Sequence, residues 1–128
     1  MPAAVFDSSA MLALLWEEKG SDAVQAYGDD FIISSVNAAE VFTKLLERGP
    51  VEEAKVKIAQ LSLSTNIVPF DGDQAVDCSL LRTKTRKRGL SLGDRACLAL
   101  AAREGAVVVT ADRAWSGLDL GIEIRLIR

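Results

Sequence analysis

The segment from Ser91 to Trp115, SLGDRACLALAAREGAVVVTADRAW, limits the fold more than any other part of this chain. Ser91 and Asp94 form a helix-start pattern, and an alanine- and leucine-rich helix follows until Gly105 breaks it. After the break at Gly105, Val107-Val108-Val109 reads as a short apolar strand, and it runs out at Thr110-Ala111-Asp112. Asp94 therefore sits in the first turn of a buried helix, and Asp112 just beyond the carboxyl end of a strand. In parallel α/β folds both positions face one edge of the sheet, where ligands bind.

The rest of the chain repeats this alternation. Ala3–Phe6 is a short strand that ends on Asp7, and Ser8 or Ser9 can cap the helix over Ala10–Glu18. A weak helix over Asp22–Tyr27 precedes the strand Phe31-Ile32-Ile33. Ser34–Asn37 opens a helix to Arg48, which Gly49 and Pro50 stop. Val51–Leu63 is amphipathic, Ile67–Phe70 is a third strand, and a helix from about Asp73 to Arg88 ends in a basic cluster. Ile122–Ile127 supplies the last strand. Strands separated by helices give βαβ units, hence a parallel sheet of about five strands between two helical layers. At 128 residues and 49% hydrophobic, the chain fits one domain with an aliphatic core.

Composition removes several functions. There is no histidine, so Ser-His-Asp and Cys-His catalysis and imidazole-based zinc sites are excluded. The apolar run Ala10–Trp16 is too short to span a membrane, and the amino terminus lacks the basic region of a signal peptide. Cys78 and Cys97 fall in helices, which suits buried thiols in a reducing cytoplasm. The net charge of −3 disfavours nucleic acid, but if four of the 18 acids line a metal site the other 14 balance the 15 Lys and Arg.

Those four are Asp7, Glu40, Asp94 and Asp112. Asp7 and Asp112 end strands, while Glu40 and Asp94 lie about one turn into helices, so all four belong at one sheet edge. Each close pair of unneutralised carboxylates costs about 4 kcal/mol at about 4 Å and an effective dielectric near 20. A cation resolves this, and an oxygen-only site suits Mg²⁺ or Mn²⁺ and phosphoryl or phosphodiester chemistry. Each acid also has a plain structural explanation. Ser91–Asp94 and Asn37–Glu40 both fit capping boxes, Asp7 fits an N-cap, and Asp112 can start a short turn.

Val5-Phe6-Asp7-Ser8-Ser9, the early-helix Glu40, Leu92-Gly93-Asp94 and Val109-Thr110-Ala111-Asp112 together resemble the PIN domain, and more narrowly the VapC-type toxins of VapBC toxin–antitoxin pairs. The resemblance runs in order along nearly the whole chain, with Trp115 where the family usually has Phe. It implies a three-layer α/β/α sandwich and an endoribonuclease dependent on Mg²⁺ or Mn²⁺. Asp7, Asp94 and Asp112 would hold the metal, and Glu40 would bind a second ion or orient the water. Ser8 and Thr110 would be supporting hydroxyls. It also implies an RNA substrate, inhibition by a cognate VapB-type antitoxin in a groove that the first helix (Leu15, Trp16) could line, and a homodimer.

Arg82, Arg86, Lys87 and Arg88 could follow an RNA backbone, although cations at a helix C-terminus also complement its dipole. Arg95 and Arg113 each follow a site acid and could reach a phosphate or form exposed ion pairs. Two other readings place acids similarly. A receiver or haloacid-dehalogenase-type phosphatase has an aspartate after its first strand, but the phosphatase expects a second Asp where Ser9 stands. A receiver expects a Lys after its last strand, and none follows. A non-catalytic binding module whose acids are only caps is the other alternative.

Overall fold

A computed structural model describes residues 2–128. Five strands, β1 (Ala4–Phe6), β2 (Phe31–Ser34), β3 (Ile67–Val68), β4 (Val107–Thr110) and β5 (Ile124–Leu126), form one sheet in the order β3-β2-β1-β4-β5. All four pairings are parallel, with Val5 beside Ile32 on one side and Val108 on the other. The chain builds outward from β1 in one direction, then returns to β1's other side as β4. The order reverses between β1 and β4, and the carboxyl ends of those two strands carry Asp7 and Asp112.

Helices α1 (Ser8–Leu15), α2 (Ser21–Gln25), α3 (Ser35–Arg48) and α4 (Val51–Ser64) connect β1 to β3. Their apolar residues, among them Met11, Val24, Ala38, Val41 and Leu61, pack with Phe6, Ile33 and Val109 on one face of the sheet. The other crossover, α5 (Gly72–Thr85) and α6 (Leu92–Glu104), covers the opposite face. There Cys97, Leu98, Leu100 and Ala101 meet Val5, Ile32 and Val108. Opposite faces follow from one handedness: right-handed crossovers moving in opposite directions along a sheet lie on opposite sides. The expected three-layer sandwich is what forms.

The centre of the sheet is fully buried, as strands covered on both faces must be, and Val5, Phe6, Val108 and Val109 are all inaccessible. β5 joins in parallel without a full helix. The segment after a 3-10 turn at Arg113–Trp115 folds over the second face instead, with Trp115 buried and Leu118, Leu120 and Ile122 packed around it.

Several boundaries differ from the sequence expectation. Helix α1 stops at Leu15, with Trp16 as its C-cap and Glu17 at φ 52°. Strand β3 is two residues long, because Pro69 lacks the N–H a longer ladder needs. β5 is confined to Ile124–Leu126, and Arg86–Arg88 leaves α5 as a 3-10 turn. Most consequential is the start of α1, whose N-cap is Asp7 rather than Ser8 or Ser9, its side chain accepting from Ala10 N.

Candidate metal centre

Asp7 leaves the central strand where the backbone must switch from ladder to helix. Its backbone N–H still donates to Val109 O, and its carboxylate is already the cap of α1. Oδ1 accepts from Ala10 N at 2.8 Å, Oδ2 accepts from the Thr110 hydroxyl at 2.6 Å, and the Ser9 hydroxyl donates to the pair at 2.7 and 2.9 Å. The side chain is only 4% exposed. Burial raises its pKa from 3.8 to about 6 against these three hydrogen bonds, and the Asp94 charge raises it further.

The supporting serine is therefore Ser9, not Ser8. Ser9 Oγ also accepts from Ala111 N at 2.9 Å and lies 3.3 Å from Thr110 Oγ1, which ties the ends of β1 and β4 together. Ser8 is the first residue of α1, and the helix turn carries Ser9 toward β4. Thr110 holds its expected place. It is fully buried, and its Oγ1 accepts from Asp112 N at 3.0 Å while donating to Asp7.

Asp94 forms the expected capping box. Its side chain accepts from Ser91 N at 2.9 Å, and the Ser91 hydroxyl accepts from Asp94 N at 3.2 Å. Glu40 does not form one, because α3 starts earlier, capped by Ser34. Instead the buried Asn37 amide donates to Glu40 Oε1 at 2.9 Å and to Gly93 O at 3.0 Å, stitching α3 to the first turn of α6. The sequence reading pairs Asn37 with Glu40 as a capping box; the structure keeps the pair but makes Asn37, inside α3, the tether of the Glu40 side chain.

A Cβ on Gly93 would lie 2.6–2.7 Å from both Glu40 carboxylate oxygens, so the glycine makes the space in which that carboxylate rests against α6. Replacing Gly93 with alanine should leave the fold stable, since Glu40 is exposed and can swing away. We expect an unchanged thermal midpoint, and a loss of any divalent-ion response that depends on Glu40.

The Glu40 carboxylate rests against Gly93, the neighbour of Asp94, while Asp7 follows β1 beside β4. The buried Cys97 thiol is pushed well above its ordinary pKa, first by burial and then by the charges of Asp7, Asp94 and Glu40. Asp112 stands slightly apart. It is exposed and caps the 3-10 turn by accepting from Ala114 N at 2.9 Å, and it reaches the group through Thr110.

The donor set suits a hard divalent cation. It is all oxygen, it carries more negative charge than its hydrogen bonds offset, and a buried acceptor, Asn37 Oδ1, lies beside it without a partner. Among the described residues, however, no three His, Cys, Asp or Glu side chains already converge on one ion-sized point. The hydrogen bonds explain why: each acid is turned toward a local donor. Asp7 is fixed, while Glu40 and Asp112 are exposed and Asp94 half-buried, so all three can rotate.

The basic residues divide. Arg95 turns away to α5, Nη1 donating to Cys78 O at 3.1 Å, and does not stand free beside Asp94. Arg88 is also structural, donating to Ala114 O and Ser116 O at 2.9 and 2.8 Å and holding the loop after β4. The Arg113 Nε donates to Arg128 O at 3.1 Å. Arg82, Arg86 and Lys87 are exposed and outside every ion pair among the described residues, just before the segment that leads into α6.

Fold and site together define an open parallel α/β domain with acidic residues at its switch point, where such sheets bind ligands. The chain belongs to the PIN domain family, whose model matches residues 4–119. Similar solved structures include a DNA-bound VapBC from Salmonella typhimurium (TM-score 0.80, 16% identity, 100% of both chains). A toxin–antitoxin complex from Klebsiella pneumoniae matches at TM-score 0.74 and 20% identity over 98% of each chain. VapBC-5 from Mycobacterium tuberculosis matches at 0.67 and 24% over 99% of each. At these identities the likeness is one of fold. Among curated proteins, none matches the sequence.

Proposed function

We propose that this chain is an endoribonuclease of the VapC type, dependent on Mg²⁺ or Mn²⁺ and inhibited by a cognate VapB-type antitoxin. The observation that carries this reading is the placement of Asp7 and Asp112 just past the carboxyl ends of the adjacent strands β1 and β4, with the Glu40 carboxylate resting against Gly93 beside Asp94. Asp7, Asp94 and Asp112 would hold the cation, with Glu40 completing the pocket. A bound divalent cation supplies Lewis acidity toward the phosphate and a nucleophilic water near neutral pH.

The protein's own groups do the rest. Ser9 and Thr110 fix both oxygens of Asp7, so this carboxylate enters the site in one orientation. Glu40, steadied by Asn37, is the acid free to orient the attacking water and take its proton. Arg82, Arg86 and Lys87 offer an RNA backbone a basic approach beside α6, and Arg113 a contact beside Asp112.

The similar structures of toxin–antitoxin complexes support an antitoxin partner. The antitoxin would lie in a groove of about 430 Å³ lined by Leu12, Trp16, Lys44, Glu47 and Arg48, where the Arg48 guanidinium covers the Trp16 ring at 3.9 Å. No helix among the described residues is long and apolar enough to cross a membrane. A cytoplasmic homodimer completes the proposal.

One observation favours a second reading, a PIN-like binding module without catalysis: Asp7, Asp94 and Asp112 are all satisfied as caps. Asp94→Asn separates the two. Asparagine keeps an acceptor for Ser91 N, so the variant should unfold near the parent's midpoint and yet lose Mn²⁺-dependent RNA cleavage by a factor of at least about 100, roughly what a single electrostatic contact to the transition state is worth. Cleavage at the parent's rate would remove Asp94 from the site.

A further inference from the structure

Asn37 is a buried polar residue that the fold by itself does not explain. It is the third residue of α3 and only 1% exposed. A side chain there can close a capping box by accepting from the backbone N–H of the cap residue, here Ser34, yet Asn37 Oδ1 accepts nothing among the described residues. A buried acceptor without a donor opposes folding, and asparagine is a poorer helix former than alanine. Stability alone would put a small apolar residue at this position, as the neighbouring Ala38 is.

What asparagine adds is a pair of donors. Nδ2 reaches Glu40 Oε1 at 2.9 Å and Gly93 O at 3.0 Å. Both partners only accept, so only the nitrogen can face them and the amide has one orientation. Neither partner needs the bond for its own sake. Glu40 is exposed, so water can serve its carboxylate, and the Gly93 carbonyl lies inside α6, where the helix ladder reaches it. Together, however, the two bonds run from α3 to the residue before Asp94. We infer that Asn37 is a positioning residue for the ion site, one that lowers the stability of the metal-free fold in return for tethering Glu40 to the first turn of α6. The inference rests on the metal-dependent reading above. The tether narrows the rotation open to the exposed Glu40 side chain without abolishing it. It engages Oε1 and leaves Oε2 for an ion or its water.

Two measurements on the full chain test this: Mn²⁺ titration followed by the paramagnetic resonance of free Mn²⁺, and urea unfolding of the metal-free protein. Asn37→Ala should be at least as stable as the parent without metal. It should bind Mn²⁺ at least about tenfold more weakly, the lower end of what hydrogen-bond partners of metal-binding groups contribute. In a Glu40→Ala background the same substitution should weaken Mn²⁺ binding no further. If the space left by alanine destabilises the fold, Asn37→Leu, which fills that space without a polar atom, decides in the same way. A parent that does not bind Mn²⁺ removes the metal reading and the inference with it. A parent that binds Mn²⁺ while both variants keep its affinity removes the inference alone. Lower stability in both variants makes Asn37 a structural residue and overturns the inference whatever their affinity. An equal loss of affinity with and without Glu40 also overturns it, because Asn37 would then not act through Glu40.

Discussion

Replacing Asp7 with asparagine should make the metal-free protein more stable at pH 8 while abolishing its divalent-ion response and RNA cleavage. The sign follows from the shift. Burial raises the Asp7 pKa from 3.8 to about 6, so the folded state binds the proton more tightly than the unfolded chain does. The stability this provides is complete below pH 3.8, declines as pH rises to about 6, and is absent above it. A shift of about two units corresponds to about 3 kcal/mol. Asparagine is as good an N-cap as aspartate and keeps the bond from Ala10 N without burying a charge. Urea unfolding of the metal-free protein should show the parent losing about 3 kcal/mol between pH 4 and pH 8 relative to Asp7→Asn. Identical pH profiles would show that the Asp7 carboxylate carries no burial penalty.

Thr110→Val should act in the opposite direction, and most strongly when Asp7 is ionised. Valine matches threonine in shape but offers no hydroxyl. It removes the 2.6 Å hydrogen bond to Asp7 Oδ2 and the acceptor for Asp112 N, in a place that water does not reach. A buried hydrogen bond to a charge is worth about 1.5–3 kcal/mol. At pH 8 we expect a loss of about 2 kcal/mol, shrinking toward pH 4 as Asp7 takes up its own proton. In an Asp7→Asn background the same substitution should cost clearly less, and the difference measures the coupling. An equal cost in both backgrounds would assign the effect to packing at β4.

The sequence is a good guide to this fold because its punctuation is chemical. Gly105 stops α6, Gly49 and Pro50 separate α3 from α4, and Val107–Thr110 is apolar enough to require burial on both faces. These signals are local, and so they survive in one dimension. The strand order is not local. That β1 and β4 adjoin, so that Asp7 and Thr110 share a hydrogen bond across 103 positions, follows from crossover handedness and packing.

The site misreadings have the same origin at smaller scale. Ser8 and Ser9 are equivalent by composition, and only the phase of α1 after an Asp7 cap turns Ser9 toward β4. Glu40 looks like a capping partner until α3 is found to begin at Ser35, whereupon Asn37 becomes its tether. Arg88 and Arg95 sit in suggestive stretches, but each is held by backbone carbonyls, Arg95 on α5 and Arg88 in the loop after β4, which no spacing rule foretells.

Whether the acids at this sheet edge form a cation site is tested most directly by thermal unfolding at pH 7.5 with and without Mn²⁺, on the parent and on Asp7→Asn. An ion that binds only the folded state adds about 2.7 kcal/mol when present at about a hundredfold excess over its dissociation constant. The parent's midpoint should therefore climb by several degrees across the titration, and that of Asp7→Asn should stay flat. A parent midpoint that ignores Mn²⁺, or an equal rise in both proteins, would contradict the account.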